Sequence, residues 1–195
     1  MTEMIPHLRD REKKAFYRYL NKASVYFEYG SGGSTYQAFK KDNIKKIYSV
    51  ESDLNWINKI YQALGISGNN EKLTMIYVDM DANPKKYGRP GPKSNYDDWI
   101  KYSRAFSYLN DEYKKNVDLV LIDGRFRVAC LLNLFKDIND STIIMFDDFF
   151  NRHVYHIVLN YYDVVKKVGK MAILKKKNID PPPQELIFKY ENDPS

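Results

Sequence analysis

A single cysteine, Cys130, among 195 residues excludes a disulfide framework within the chain and suits a reducing compartment. It lies in the apolar run V-A-C-L-L with nothing beside it to lower its pKa, which reads as a buried structural thiol. No apolar run approaches the ~20 residues of a membrane helix, so no membrane span is expected. The first residues, M-T-E-M-I-P-H-L-R-D, lack an apolar core and a small-residue cleavage site; no signal peptide is expected, and a cytoplasmic location is. Histidines number three, and arginines are few. The net charge of +6 therefore rests on lysine, much of it in the cluster Lys166, Lys167, Lys170, Lys175, Lys176 and Lys177. Lysines at element ends read as solvated surface, so nucleic acid is not the expected partner. With 44% hydrophobic and 29% charged residues the chain should fold, and its length suits one domain, 1–195, better than two.

What is present is organised around residues 24–36, S-V-Y-F-E-Y-G-S-G-G-S-T-Y. Val25, Tyr26 and Phe27 form a short β-prone run, Gly30, Ser31, Gly32 and Gly33 a turn, and Ser34 and Thr35 the mouth of a helix through Lys40. Such a turn brings backbone N–H groups to a ligand without side chains in the way, beside the positive end of a helix. The dinucleotide fingerprint requires a third small residue where this chain has Thr35. The pattern Glu-x-Gly-x-Gly-x-Ser is met instead by Glu28, Gly30, Gly32 and Ser34. The carboxylate ahead of the first glycine fits a ligand with hydroxyls or an ammonium group.

The flanking chain alternates strand and helix. Residues 7–21 carry Leu8, Phe16, Tyr17 and Leu20 at amphipathic helical spacing, which makes 1–22 a leading helix segment. Residues 45–51 form a strand ending in Glu51, about twenty residues past the glycine turn, where a carboxylate accepts two ribose hydroxyls. A helix over 53–64 stops at Gly65, and a third strand over 72–81 ends in acids, among them Asp79. The proline- and glycine-rich stretch 83–95 is expected to be a loop over the ligand rim. A helix is expected over 96–113, a strand over 117–122 ending in Asp123, a helix over 127–138, and a strand over 141–146 ending in Asp147 and Asp148. Two adjacent strands ending in carboxylates place Asp123 near Asp148; like charges so held either raise a pKa, giving a general base, or need a cation such as Mg²⁺. A helix over 151–167 would carry His153 and His156 one turn apart, each readable as a base or as a packing residue. Strands over 169–175 and 185–190 would close the sheet as a hairpin. Repeated strand–helix units predict an α/β fold with ligands at the carboxyl ends of the strands.

The order of glycine loop, acid after the second strand, acid after the third, I-D-G after the fourth and D-D after the fifth resembles the class I S-adenosylmethionine (SAM) dependent methyltransferases over nearly the whole chain. That resemblance implies a Rossmann-like three-layer α/β/α sandwich, mostly parallel, with an antiparallel C-terminal strand. It implies that Glu28, Gly30, Ser31, Gly32 and Ser34 hold the methionine part of SAM, Glu51 and Ser52 the ribose, and Asp79 and Met80 the adenine, with Asp123 beside the cofactor. D-G-R-F-R-V-A-C and D-D-x-x-x-R-x-x-Y-H are similar to small domains that methylate sugar hydroxyls, found alone or fused to glycosyltransferases, including those of large algal viruses. The implied acceptor is a small molecule or glycan, and an associated glycosyltransferase the implied partner. Asp123, Asp147 and Asp148 also resemble the metal set of macrocin-type sugar O-methyltransferases, which leaves Mg²⁺ or Mn²⁺ open, since Gly124 and Arg125 stand where a second acid often sits. Asp148 and His153 are the expected bases, Asp123 their support or a ligand, and Arg125 and Arg127 either orient an oxygen-rich acceptor or pair with Asp147 or cap the helix. The rival readings are an NAD(P)-dependent oxidoreductase, disfavoured by Thr35, and a non-catalytic SAM- or nucleic-acid-binding module, whose phosphates the rim acids would repel.

Overall fold

A computed structural model describes residues 3–83 and 88–194. Its described residues form a seven-stranded sheet from β1 (Val25–Tyr29), β2 (Lys46–Glu51), β3 (Leu73–Tyr77), β4 (Leu119–Ile122), β5 (Ile143–Phe146), β6 (Tyr162–Val168) and β7 (Met171–Lys176), in the order β3-β2-β1-β4-β5-β7-β6. β1 to β5 pair in parallel, and β7 runs antiparallel between β5 and β6. The helices are α1 (Asp10–Leu20), α2 (Gly33–Phe39), α3 (Leu54–Leu64), α4 (Tyr96–Ser103), α5 (Asp111–Lys115), α6 (Arg127–Leu134) and α7 (Gln184–Glu191). This is the α/β fold that the strand–helix alternation predicts, in the Rossmann-like three-layer form that the resemblance implies.

The period of two along the strands splits the core into two sides. Tyr26, Ile47, Leu119 and Leu121 pack with Phe16 and Leu20 of α1 and Ile57 and Ile60 of α3. Phe27, Tyr29, Val120 and Ile122 face Tyr102 of α4, Leu131 of α6 and Ile187 of α7. Central β4 is buried along its whole length, as a strand covered on both faces must be, and its Leu-Val-Leu-Ile sequence has no polar face to show.

Three expected elements take another form. The segment 151–167 is not an α-helix: it makes 3₁₀ turns over Phe149–Asn151 and His153–Asn160 and then becomes β6. Tyr155, Val158 and Tyr162, all buried, mimic helical spacing, while the Val-rich stretch behind them completes the sheet edge. The segment 185–190 is α7 rather than a strand. Pro183 stands at its N-cap with φ −65°, a start signal for a helix, and Glu185 lies in its first turn. The closing hairpin is therefore β6–β7. The helix expected over 96–113 breaks into α4, a 3₁₀ turn over Ala105–Tyr108 and α5, because Asn95 and Asn110 each cap a separate start. Strand β3 is also shorter than expected, so Asp79 lies beyond it.

Of the 83–95 loop, positions 84–87 fall outside the described residues. The rest closes on itself through the Asn83–Arg89 bridge, and a Cβ on Gly88 would lie 3.2 Å from Ser52 Oγ, which puts this loop at the carboxyl ends of the strands.

Candidate functional site

The glycine loop is shaped from below by Glu28. Its carboxylate is fully buried and accepts from Tyr26 Oη (2.7 Å), Ser34 Oγ (2.6 Å), Ser49 Oγ (2.7 Å) and Thr35 Oγ1. Thr35 Oγ1 in turn accepts from Gly32 N–H at 2.8 Å, and Ser49 Oγ bonds Ser31 Oγ at 2.6 Å. Burial pushes the Glu28 carboxyl up from its ordinary range, and the four hydroxyl donors pull against that. Glu28 and Ser34 thus face into the protein and fix the loop rather than offering their side chains to a ligand, which corrects the direct contact expected of them. Thr35, incompatible with the dinucleotide fingerprint, is the residue that ties the loop to Glu28.

Backbone crowding explains two glycines. Gly30 has φ +90°, and a Cβ on it would lie 2.8 Å from Gly124 Cα. On Gly124 a Cβ would strike Tyr102 Oη and come within 2.9 Å of Gly30 N. The loops after β1 and β4 therefore touch main chain to main chain.

Glu51, at the end of β2, faces this loop. It accepts from the N–H groups of Ser31 (3.1 Å), Ser52 (2.7 Å) and Asp53 (3.0 Å), and keeps 8% of its surface open. Burial pushes its carboxyl up against those donors. Trp56 Nε1 donates to Ser31 O at 2.9 Å and pins the loop from the α3 side, a residue the sequence reading did not single out. Ser52 is buried beside Glu51, Asp79 is exposed with Oδ1 accepting from Asp81 N–H (2.9 Å), and Met80 is fully buried, so its side chain belongs to the core.

Beyond β4 and β5 the acids gather around Arg127. Its Nε donates to Gly124 O (3.0 Å), Nη1 to Asp147 O (2.8 Å), and Nη2 to both Asp123 O and Asp123 Oδ1 (2.9 Å each). Asp147 Oδ2 and Asp148 Oδ2 lie 3.7 and 3.8 Å from Nη1. Only 4% exposed, Arg127 clamps two strand ends together, in the pairing with Asp147 that is one of the roles expected for it. The guanidinium also occupies the centre where Asp123, Asp147 and Asp148 would have to converge on a metal. Among the described residues no group of three or more His, Cys, Asp or Glu side chains is arranged to hold one, so this donor set does not fit Mg²⁺ or Mn²⁺.

The Asp123 and Asp147 carboxyls hydrogen-bond each other. Burial, followed by the charge of Asp123, pushes Asp147 up to about 7, with Arg127 pulling the other way. Burial likewise raises Asp123, which Arg127 opposes. Asp148 is engaged otherwise, by Arg152 Nη2 at 3.2 Å and Lys170 Nζ at 3.7 Å, and its φ is +58°. With Asp81 (φ 49°) and Phe126 (φ 52°), it puts left-handed non-glycine backbone after β3, β4 and β5 at one rim, where such strain marks functional geometry. His153 is exposed and its ring lies beside that of His156, while His156 Nε2 bonds Phe149 O at 3.1 Å. Among the described residues no hydrogen bond or ion pair joins His153 to a carboxylate. Arg125 is the cation left over: its Nε is buried without a partner, and burial together with Arg127 pushes its pKa down.

No protein-family model matches the chain, and no curated protein does either. Solved structures do. A methyltransferase-like protein from Silicibacter pomeroyi is 27% identical, covers 98% of this chain and 99% of its own, and superposes with a TM-score of 0.82. The S-adenosylhomocysteine-bound methyltransferase PaMTH1 of Podospora anserina (15% identity, 89% and 80% coverage, TM-score 0.56) and the ribosomal protein L11 methylase of Lactobacillus delbrueckii (14%, 86% and 77%, 0.53) share the fold. The chain thus shares its fold with a methyltransferase-like protein over nearly its whole length, and with named methyltransferases.

Proposed function

We propose that the protein is a SAM-dependent O-methyltransferase whose acceptor is a hydroxyl of a sugar or glycan. The observation that carries this reading is the shared rim: a glycine loop held by Glu28, the Glu51 carboxylate beside it, and a titrating Asp123–Asp147 pair across the Gly30–Gly124 contact. Glu51 would accept the ribose hydroxyls, and the backbone of Gly30 to Gly32 would approach the methionine part. SAM supplies an electrophilic methyl on a sulfonium. The task left to the protein is to align a nucleophile and take its proton.

A sugar hydroxyl is a weak nucleophile, and a carboxylate with a pKa near 7 is matched to removing its proton at neutral pH. Asp147 takes that role here in place of Asp148 and His153. Asp123, bonded to Arg127, holds Asp147 in position and receives the shared hydrogen bond. Arg125, with its unpartnered Nε, offers a donor edge to an oxygen-rich acceptor. The reaction asks for no metal.

Methyl-labelled SAM offered with a panel of sugars, glycans, nucleic acids and proteins in the presence of EDTA tests this. O-methyl sugar as the labelled product is the expected result. Label on nitrogen of RNA or protein, or label transfer that EDTA abolishes, would refute it.

A further inference from the structure

A cleft of about 350 Å³ opens between α1 and the β6–β7 turn, lined by Arg11, Lys14, Arg18 and Tyr19 from the helix and by Lys166 and Lys167 from the strand. Positions 11, 14 and 18 recur at helical spacing, so one face of α1 presents three cations to the two lysines opposite. Among the described residues none of the five cationic side chains has a hydrogen-bond or ion-pair partner; Lys167 Nζ rests 4.5 Å over the Phe150 ring. Of the two acids that flank Arg11, Glu12 is 2% exposed and committed to the N–H groups of Arg9 (2.9 Å) and Lys170 (2.8 Å), and Asp10 pairs with Lys13 at 3.1 Å. Five like charges around one concavity repel one another and are stabilised by an anion with more than one charge.

The cleft also lies on the acceptor side. β7 runs against β5 with Ala172 paired to Phe146, the last residue of β5, so the β6–β7 turn stands at the same rim as Asp147 and Asp148. Lys170, next to cleft residue Gly169, reaches Asp148 with Nζ at 3.7 Å, and its carbonyl accepts from Phe150 N–H at 2.9 Å. We propose that this cleft seats the phosphate groups of the acceptor, making the substrate class a phosphate-bearing sugar or glycan whose free hydroxyl reaches Asp147. This rests on the methyltransferase reading. Phosphate held in the cleft would contribute binding energy remote from the reacting hydroxyl and orient it.

Calorimetric titration of the whole chain with inorganic pyrophosphate, glucose 1-phosphate and glucose tests the proposal. Pyrophosphate and glucose 1-phosphate should bind and glucose should not, and Arg18→Ala/Lys166→Ala should weaken both at least tenfold while S-adenosylhomocysteine affinity stays within twofold. Glu51→Ala should do the reverse, so a failed cofactor reading and a failed cleft reading give different patterns. Equal anion affinity in wild type and the double variant overturns the proposal. So does tight binding of single-stranded RNA that pyrophosphate does not displace.

Discussion

At the scale of single residues, the proposed function makes Asp147 the group that sets both activity and pH response. Its folded pKa of about 7 stands above the ~3.9 of an unfolded Asp, so the folded state holds the proton more tightly. That contribution to stability is complete below about pH 4 and is lost as pH rises through 7. Asp147→Asn, which keeps a donor toward Asp123, should therefore gain stability over wild type between pH 4 and pH 8, by an amount on the order of 2–4 kcal/mol, in urea melts at the two pH values. Methyl transfer should move oppositely: wild-type kcat/KM rises through about pH 7, and Asp147→Asn loses roughly 10²–10⁴-fold. A flat pH profile would remove Asp147 as the base. Glu28 acts on the fold alone. Glu28→Ala leaves four buried hydroxyls without their acceptor and should cost on the order of 3 kcal/mol by thermal and urea unfolding.

At the scale of elements, the contact between the loops after β1 and β4 is the tightest constraint on the rim. Gly124→Ala drives a Cβ into Tyr102 Oη and toward Gly30 N, and should lower Tm by several degrees and weaken cofactor binding. Adding Tyr102→Phe should recover part of the Tm and little of the binding, because the main-chain clash with Gly30 remains. Most of the elements that build this rim were legible in the sequence: strand β1, the glycine turn, Glu51 at the end of β2 and Asp123 at the end of β4 sit where spacing put them. Elements whose form depends on distant partners were not. β6 is a strand because its edge bonds β7, and α7 is a helix that buries Glu191 under a two-point contact from Arg104 (2.7 and 2.9 Å), which no local pattern shows. The same holds within the site. Residue types and spacing brought the acids to one rim, but not that Arg127 would stand among them and exclude a metal, nor that Glu28 would turn inward. Both follow from side-chain direction, which repeats with the strand pairing rather than with the motif.

At the scale of the whole molecule, charge is arranged in zones: half-buried carboxylates around Arg127 at the ends of β4 and β5, and, among the described residues, unpaired cations beyond them along α1 and β6. Among the described residues no helix is long and apolar enough to cross a membrane. The central claim is that the glycine loop and Glu51 hold a SAM-type nucleoside. Calorimetric titration with S-adenosylhomocysteine, run beside NAD and repeated in EDTA, tests it directly. The account predicts micromolar binding of S-adenosylhomocysteine that EDTA leaves unchanged, no binding of NAD, and an affinity lowered at least thirtyfold by Glu51→Ala, equivalent to about 2 kcal/mol. Absence of S-adenosylhomocysteine binding, or affinity unaltered in Glu51→Ala, would contradict it.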